Sequence, residues 1–330
     1  MSKSINIGII GAGKIGAFHA KNIALYTDAK VLAVADINKN AAENLAKQIG
    51  AKKVYSSYED LIKDKDIDAV IISLPNNLHY EVSIAAIEAG KHVFCEKPLC
   101  LNVKEAEEIV NKVEKYKVKF QVGFNRRFDP SYEKAKELIE KGYLGKILIS
   151  YSNTFDPKPH SGWEANEELS GGILFTTCSH DFDLLYWLIG SEVNKVYVES
   201  RGEFGKNESL ICFLSFKNDA LGVVSTIETC SYGHDVKTEI IGNKAAIRIE
   251  KPSSTFIKTM DKNGIHNDYP YWFIERFEES YIKEIKDFVK CIVEDKEPRV
   301  NAKDGMYIVK ISQAAKESKQ KGKPIDLLNQ

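Results

Sequence analysis

The sequence has 330 residues, 43% hydrophobic and 28% charged, which excludes a disordered chain and fits a soluble globular protein of two domains. A formal net charge of -1 excludes a global attraction to nucleic acid or to an anionic membrane. No apolar run reaches transmembrane length, and Met1-Ser2-Lys3-Ser4 runs straight into strand-like sequence without a signal-peptide apolar region, so a cytoplasmic protein is expected.

Residues 1–125 alternate strand and helix signals. Ile5 to Ile10 is a β-branched run, and Lys14 to Leu25 follows with helical spacing at Ile15, Phe18 and Ile23. Val31 to Ala35 is a second strand. Asn40 to Ile49 is helical and stops at Gly50, a suitable C-cap, and Ser57-Tyr58-Glu59-Asp60 resembles a capping box that opens a short helix. Ala69 to Ser73, Val93 to Cys95 and Phe120 to Gly123 are further strands, separated by helices over Leu78–Ala89 and Lys104–Tyr116. Repeated β-α-β order predicts a parallel sheet with right-handed crossovers, a Rossmann-type dinucleotide-binding domain.

Residues 126–330 follow a different pattern. A helix over Tyr132–Lys141 leads to a strand at Ile147–Ser152, a polar loop with Pro157, Pro159 and Gly162, and one helix from Gly172 to Ile189. Strand-like runs then follow without intervening helices, near Val193–Glu199, Leu210–Phe216, Leu221–Thr229, Lys237–Ile241 and Ala246–Glu250. Helices over Glu278–Glu294 and Lys303–Lys319 close the chain. The expected second domain is α+β with a largely antiparallel open sheet. The six cysteines are scattered, contain no Cys-x-x-Cys pair and sit mostly in apolar runs, so they read as packed thiols rather than metal ligands or a disulfide framework.

The nucleotide signal is Gly11-Ala12-Gly13-Lys14-Ile15-Gly16, which follows the first strand and opens the first helix. The glycines permit a tight turn, close approach of the backbone to a diphosphate, and tight helix–strand packing, while the helix start supplies N–H groups. Asp36 ends the second strand, where a carboxylate accepts hydrogen bonds from ribose hydroxyls and repels a 2′-phosphate. NAD is therefore expected over NADP.

Two further segments carry chemistry. Lys97, in Glu96-Lys97-Pro98, lies just past the fourth predicted strand, an ammonium at the carboxyl end of a parallel sheet. A solvated surface lysine is the alternative. In the helix from Gly172, the residues Thr176, His180 and Asp183 are spaced i, i+4, i+7 and form one polar stripe on an otherwise apolar helix. A hydrogen-bonded core histidine and metal ligation through His180, Asp181 and Asp183 are the competing interpretations, and no fourth metal ligand is evident. A neutral imidazole suits proton abstraction from an alcohol, and a lysine suits holding its oxygen.

The glycine turn, Pro75-Asn76-Asn77-Leu78-His79, Ala89-Gly90-Lys91-His92-Val93, Glu96-Lys97-Pro98, Gly123-Phe124-Asn125-Arg126-Arg127-Phe128-Asp129-Pro130 and Gly171-Gly172…His180-Asp181-Phe182-Asp183 together resemble the Gfo/Idh/MocA oxidoreductases. The likeness spans essentially the whole chain and is strongest to inositol 2-dehydrogenase-like members. It implies that Lys97 and His180 are the catalytic pair. It also implies that Gly11, Gly13, Lys14, Ile15, Gly16, Asp36, Ser73, Asn76, His79, Glu96 and Lys97 line the cofactor. Arg127, Asp156, Thr176, Asp183 and Tyr232 would face the substrate, Tyr232 by the loosest match. For Arg127 the alternative is a surface ion pair, and for Asp156 a turn residue before Pro157.

One departure stands out. The inositol enzymes carry an aspartate one helical turn before the histidine, where this chain has Thr176. A hydroxyl carries no charge, so it is expected to leave His180 a weaker base. The resemblance implies an NAD-dependent oxidoreductase that oxidises a secondary hydroxyl of a cyclic polyol or sugar, hydride passing to the nicotinamide and the proton to His180. An NAD-retaining enzyme for glycoside cleavage or elimination, and a non-catalytic NAD- or sugar-sensing regulator, are the alternatives. The resemblance also implies that residues 126–330 serve substrate binding and oligomerisation, with a homotetramer as the assembly; no metal, nucleic-acid or membrane partner is expected.

Overall fold

The computed structural model describes residues 4–327; Met1, Ser2 and Lys3 of the N-terminal stretch discussed above lie outside the described residues. The described chain forms two compact units. The first comprises the chain through Phe128 together with Glu168–Gly171 and Glu279–Gln313, and the second comprises Asp129–Glu167, Gly172–Glu278 and the chain from Ala314 onward.

The first unit is built on β1 (Asn6–Ile10), α1 (Lys14–Tyr26), β2 (Lys30–Ala35), α2 (Lys39–Ile49), β3 (Lys53–Tyr55), α3 (Tyr58–Lys63), β4 (Ala69–Ile72), α4 (His79–Glu88), β5 (His92–Glu96), α5 (Val103–Tyr116) and β6 (Phe120–Gly123). The strand order is β3-β2-β1-β4-β5-β6, every pair parallel. This order reverses between β1 and β4, which opens a crevice at the carboxyl ends of the strands. Strands β1 and β4 are buried almost throughout, as a sheet covered on both faces requires. The capping residues act as the sequence predicts. Ser57 accepts from the Asp60 N–H at the start of α3, and Gly50 takes φ +73° at the end of α2.

The second unit contains α6 (Pro130–Glu140), β7 (Ile147–Phe155), and, after the short α7 (Glu167–Ser170), α8 (Ile173–Thr176) and α9 (Cys178–Ile189). Strands β8 (Val193–Arg201), β9 (Ser209–Phe216), β10 (Leu221–Ile227), β11 (Asp235–Gly242) and β12 (Ala246–Ile249) follow, then a two-stranded hairpin of β13 (Lys258–Asp261) and β14 (Gly264–Asn267). Helices α10 (Phe273–Val293) and α11 (Ala302–Lys321) and the short β15 (Ile325–Asp326) end the described chain. The large sheet has the order β12-β11-β7-β10-β9-β8-β15 and is antiparallel except between β7 and β10. The fold is thus a Rossmann-type parallel sheet plus an α+β unit with a largely antiparallel sheet, as expected.

Two expectations need correction. The single helix from Gly172 to Ile189 is two segments, with Gly172 at φ +80° outside the first and Thr177 (φ -107°, ψ -55°) between them. Side-chain oxygens in this stretch bond back to the preceding turn, Thr176 Oγ1 to the Gly172 carbonyl at 3.1 Å and Ser179 Oγ to the Phe175 carbonyl at 2.6 Å. Such back-bonding bends helices. Thr176 therefore lies before the break at Thr177, whereas His180 and Asp183 share α9. In addition, Lys97 follows the fifth strand, not the fourth, because the three-residue β3 pairs along β2.

Candidate active site

In the first unit the predicted nucleotide residues converge at the carboxyl ends of β1, β2 and β4. Gly11 has φ +100°, and a Cβ there would lie 2.3 Å from the Ser73 carbonyl oxygen. A Cβ on Gly16 would lie 1.9 Å from the Gly11 carbonyl oxygen and 2.5 Å from Ser73 Oγ. Both positions are closed to any side chain by the turn itself. Gly13 differs, because among the described residues a Cβ there would meet nothing within 4 Å and no side chain caps the start of α1. The helix thus opens on space beside its first-turn N–H groups, with Lys14 exposed alongside, which suits the diphosphate of a dinucleotide.

Asp36 is only partly exposed, and its carboxylate accepts from the Ala12 N–H and the Asn38 N–H, both at 2.7 Å. Oxygens held this way retain lone pairs for ribose hydroxyls, and the charge disfavours a 2′-phosphate. The residues fit NAD. Ser73 acts as a strut, since its hydroxyl donates to the Gly11 carbonyl at 3.1 Å.

The segment carrying Lys97 is fastened from several sides. Lys97 itself is partly exposed within the otherwise buried run Val93–Cys100. His79 is fully buried, with Nδ1 2.7 Å from the Pro98 carbonyl oxygen and Nε2 2.9 Å from that of Leu74. Burial pushes the imidazole towards the neutral form, against the two carbonyls, which favour the proton. A neutral ring donates through one nitrogen only, so one carbonyl takes its hydrogen bond. His79 thus supports the lysine loop from within the unit. Asn76 donates to the Ser170 carbonyl at 2.8 Å, and Glu96 Oε1 sits 2.6 Å from His19 Nε2. Arg127 is buried, with Nη2 3.3 Å from Asp304 Oδ1, while the Arg299 guanidinium donates to the Arg127 carbonyl and lies over the Phe128 ring. Its ion pair is internal rather than on the surface.

In the second unit Asp181 explains how α9 is placed. Its buried carboxylate accepts from Ser152 Oγ at 2.6 Å and Thr154 Oγ1 at 2.8 Å, which pins the first turn of α9 to the carboxyl half of β7. A residue committed to two hydroxyls in this way is an anchor. His180 beside it is partly exposed in a segment that is otherwise buried, and Asp183 is buried one turn on. The Asp156 N–H donates to the Ile227 carbonyl just past the end of β7, and the Tyr232 hydroxyl donates to Asp235 Oδ2 at 3.1 Å where β11 begins. Asp235 stands opposite Phe155 in the ladder, so Asp156 and Tyr232 share one end of the sheet.

Sequence inspection missed His234. It is buried, its Nε2 lies 3.7 Å from Asp156 Oδ1, and its ring meets Trp272, Phe273 and Phe277. No local motif marks it, because its partners come from just past the end of β7 and from the start of α10.

Two family models cover nearly the whole chain. Residues 5–124 match the oxidoreductase family's NAD-binding Rossmann fold, and residues 136–327 match its C-terminal alpha/beta domain. The chain is 34% identical to a myo-inositol 2-dehydrogenase of Thermotoga maritima, across 98% of both sequences. It is 32% identical to a scyllo-inositol 2-dehydrogenase (NAD(+)) of Bacillus subtilis, across 99% of this chain and 97% of that one. The crystal structure of scyllo-inositol dehydrogenase from Lactobacillus casei with bound NAD(H) and scyllo-inositol matches at a TM-score of 0.92 and 30% identity, covering 99% of this chain and 100% of that one. With the glycine turn, the Asp36 carboxylate and the switch-point sheet all suited to NAD, this chain belongs to the Gfo/Idh/MocA family of NAD-dependent oxidoreductases.

Proposed function

We propose that this chain oxidises a secondary hydroxyl of a cyclic polyol or sugar, as its inositol 2-dehydrogenase relatives are named for doing. The observation that carries this is the match along 98% of the chain to a myo-inositol 2-dehydrogenase. In this proposal residues 1–125 serve the nucleotide and 126–330 the substrate. Bound NAD supplies the hydride acceptor. The Lys97 ammonium holds the reacting oxygen and offsets the negative charge that develops on it. His180, as a neutral imidazole, takes the hydroxyl proton. Asp156, Asp183 and Tyr232 read the remaining hydroxyls, and buried Arg127 serves as support. Incubating the protein with NAD and myo-inositol, scyllo-inositol or common aldoses should produce NADH, followed by absorbance. Tight NAD binding with no NADH from any of them would overturn the proposal.

The same proposal includes a homotetramer in the cytoplasm. The outer face of the large sheet supports self-association, because Leu148, Tyr151, Ile211, Phe213 and Leu221 are all exposed on it and Tyr197 stacks on Phe213. An exposed apolar face of this kind marks an interface. Its occupant is taken to be a second copy of the chain. Phe213→Asp should reduce the solution mass to that of a smaller species in light scattering. An unchanged mass would argue against this face.

A further inference from the structure

The first unit contains a buried triad of which only Glu96 has been given a place in the chemistry above. His19 of α1, Glu96 at the end of β5 and Glu284 of α10 bring their nitrogen and oxygen atoms within 4.8 Å of one another. His19 and Glu284 are fully buried, and Glu96 is nearly so. The cluster has walls of its own. The His19 ring packs edge-on against Phe94 and Tyr281, Phe94 packs on Phe288, and the Gln121 side chain donates to the Glu284 carbonyl at 2.9 Å. A Cβ on Gly123 would sit 3.1 Å from Glu96 Oε2, so β6 leaves room for that carboxylate.

The hydrogen bonds are unevenly shared. Glu96 has the His19 imidazole at 2.6 Å, whereas neither Glu284 oxygen meets a hydrogen-bond partner among the described residues. Two ionised carboxylates this close, away from water, repel strongly, and an ion without a donor is the costlier of the two. The proton therefore belongs on Glu284. Its carboxyl is indeed held well above the usual carboxylate range, by burial first and by the charge of Glu96 second. Among the described residues the other titratable groups that feel the triad include Tyr281, from the same helix as Glu284, and Cys95 and His79, which both feel the charge of Glu96; Arg126 acts in turn on Tyr281.

We propose that Glu284 is a positioning residue for Lys97. As a neutral acid it leaves Glu96 the lone carboxylate of the triad, held by His19, and so fixes the segment that presents the lysine. The role rests on Lys97 acting as a catalytic group; the protonation of Glu284 does not.

Infrared spectroscopy and steady-state kinetics on the whole protein test the proposal. The carbonyl band of a neutral carboxylic acid should persist in wild type at about pH 8 and vanish in Glu284→Gln, whose amide copies the shape of the neutral acid. Glu284→Leu should lower kcat for inositol about tenfold or more with little change in the KM for NAD. Glu284→Gln should rescue most of that loss and hold its rate further into alkali than wild type, because it has no proton to lose.

A wild type without the acid band, identical alkaline limbs for wild type and Glu284→Gln, or a stoichiometric divalent ion that departs with Glu284→Gln would each overturn the proposal. If wild type oxidises no polyol, the Lys97 role fails, while the infrared band still decides where the proton lies.

Discussion

His180→Asn is expected to lower kcat for polyol oxidation by about 10² to 10⁴-fold, the range set by losing a positioned general base. NAD affinity should change little, since the nucleotide residues belong to the other unit. Asparagine keeps a polar side chain on the first turn of α9, which Asp181 continues to anchor on β7, so the loss would report chemistry rather than unfolding. A fall of less than tenfold would remove His180 from the base role. Thr176→Asp supplies the companion measurement. The Thr176 hydroxyl is bonded to the Gly172 carbonyl, and replacing it with a carboxylate introduces a negative charge close before α9. A negative neighbour favours the imidazolium, so the pH above which His180 is a free base should rise. The acid limb of the pH–rate profile should then move up by about one pH unit, with a higher rate on the plateau. Superimposable profiles would sink the idea that position 176 tunes the histidine.

The difference between what the sequence discloses and what it hides follows from the range of the interactions. The glycine turn, Asp36 and the caps at Ser57 and Gly50 are legible because each acts within a few residues of its own position. Strand β3 is not legible, since Lys53–Tyr55 has only three half-buried residues and no apolar run. The β13–β14 hairpin escapes for a related reason: all its strand residues are exposed, so no burial pattern marks it. The break at Thr177 is hidden by an apolar periodicity that runs across it, although Thr176-Thr177 and Ser179 are residues that compete for backbone bonds. His19, Glu96 and Glu284 are the extreme case. His19 and Glu284 each read as ordinary polar residues and Glu96 is marked only through its neighbour Lys97, so only the sheet order and the return of α10 bring the three together.

The glycine turn offers the second large effect, and one that separates folding from binding. Gly16→Ala should destabilise the protein by about 1–3 kcal/mol and weaken NAD strongly. Its new methyl would sit 1.9 Å from the Gly11 carbonyl oxygen, a backbone atom that moves only if the turn moves. Gly13→Ala should behave differently. Gly13 has φ -70°, which alanine adopts without strain, and its methyl would meet no atom of the described residues within 4 Å. The melting temperature of Gly13→Ala should therefore stay within about 1 °C of wild type, because the new methyl has nothing to displace. NAD dissociation constants should nevertheless rise about tenfold or more, a cost of roughly 1.4 kcal/mol, because the methyl occupies the space into which the diphosphate comes. Thermal melts and NAD titrations of the two variants, run side by side, read the contrast directly. Undiminished NAD binding by a fully stable Gly13→Ala protein would show that the diphosphate does not approach the start of α1 at this glycine.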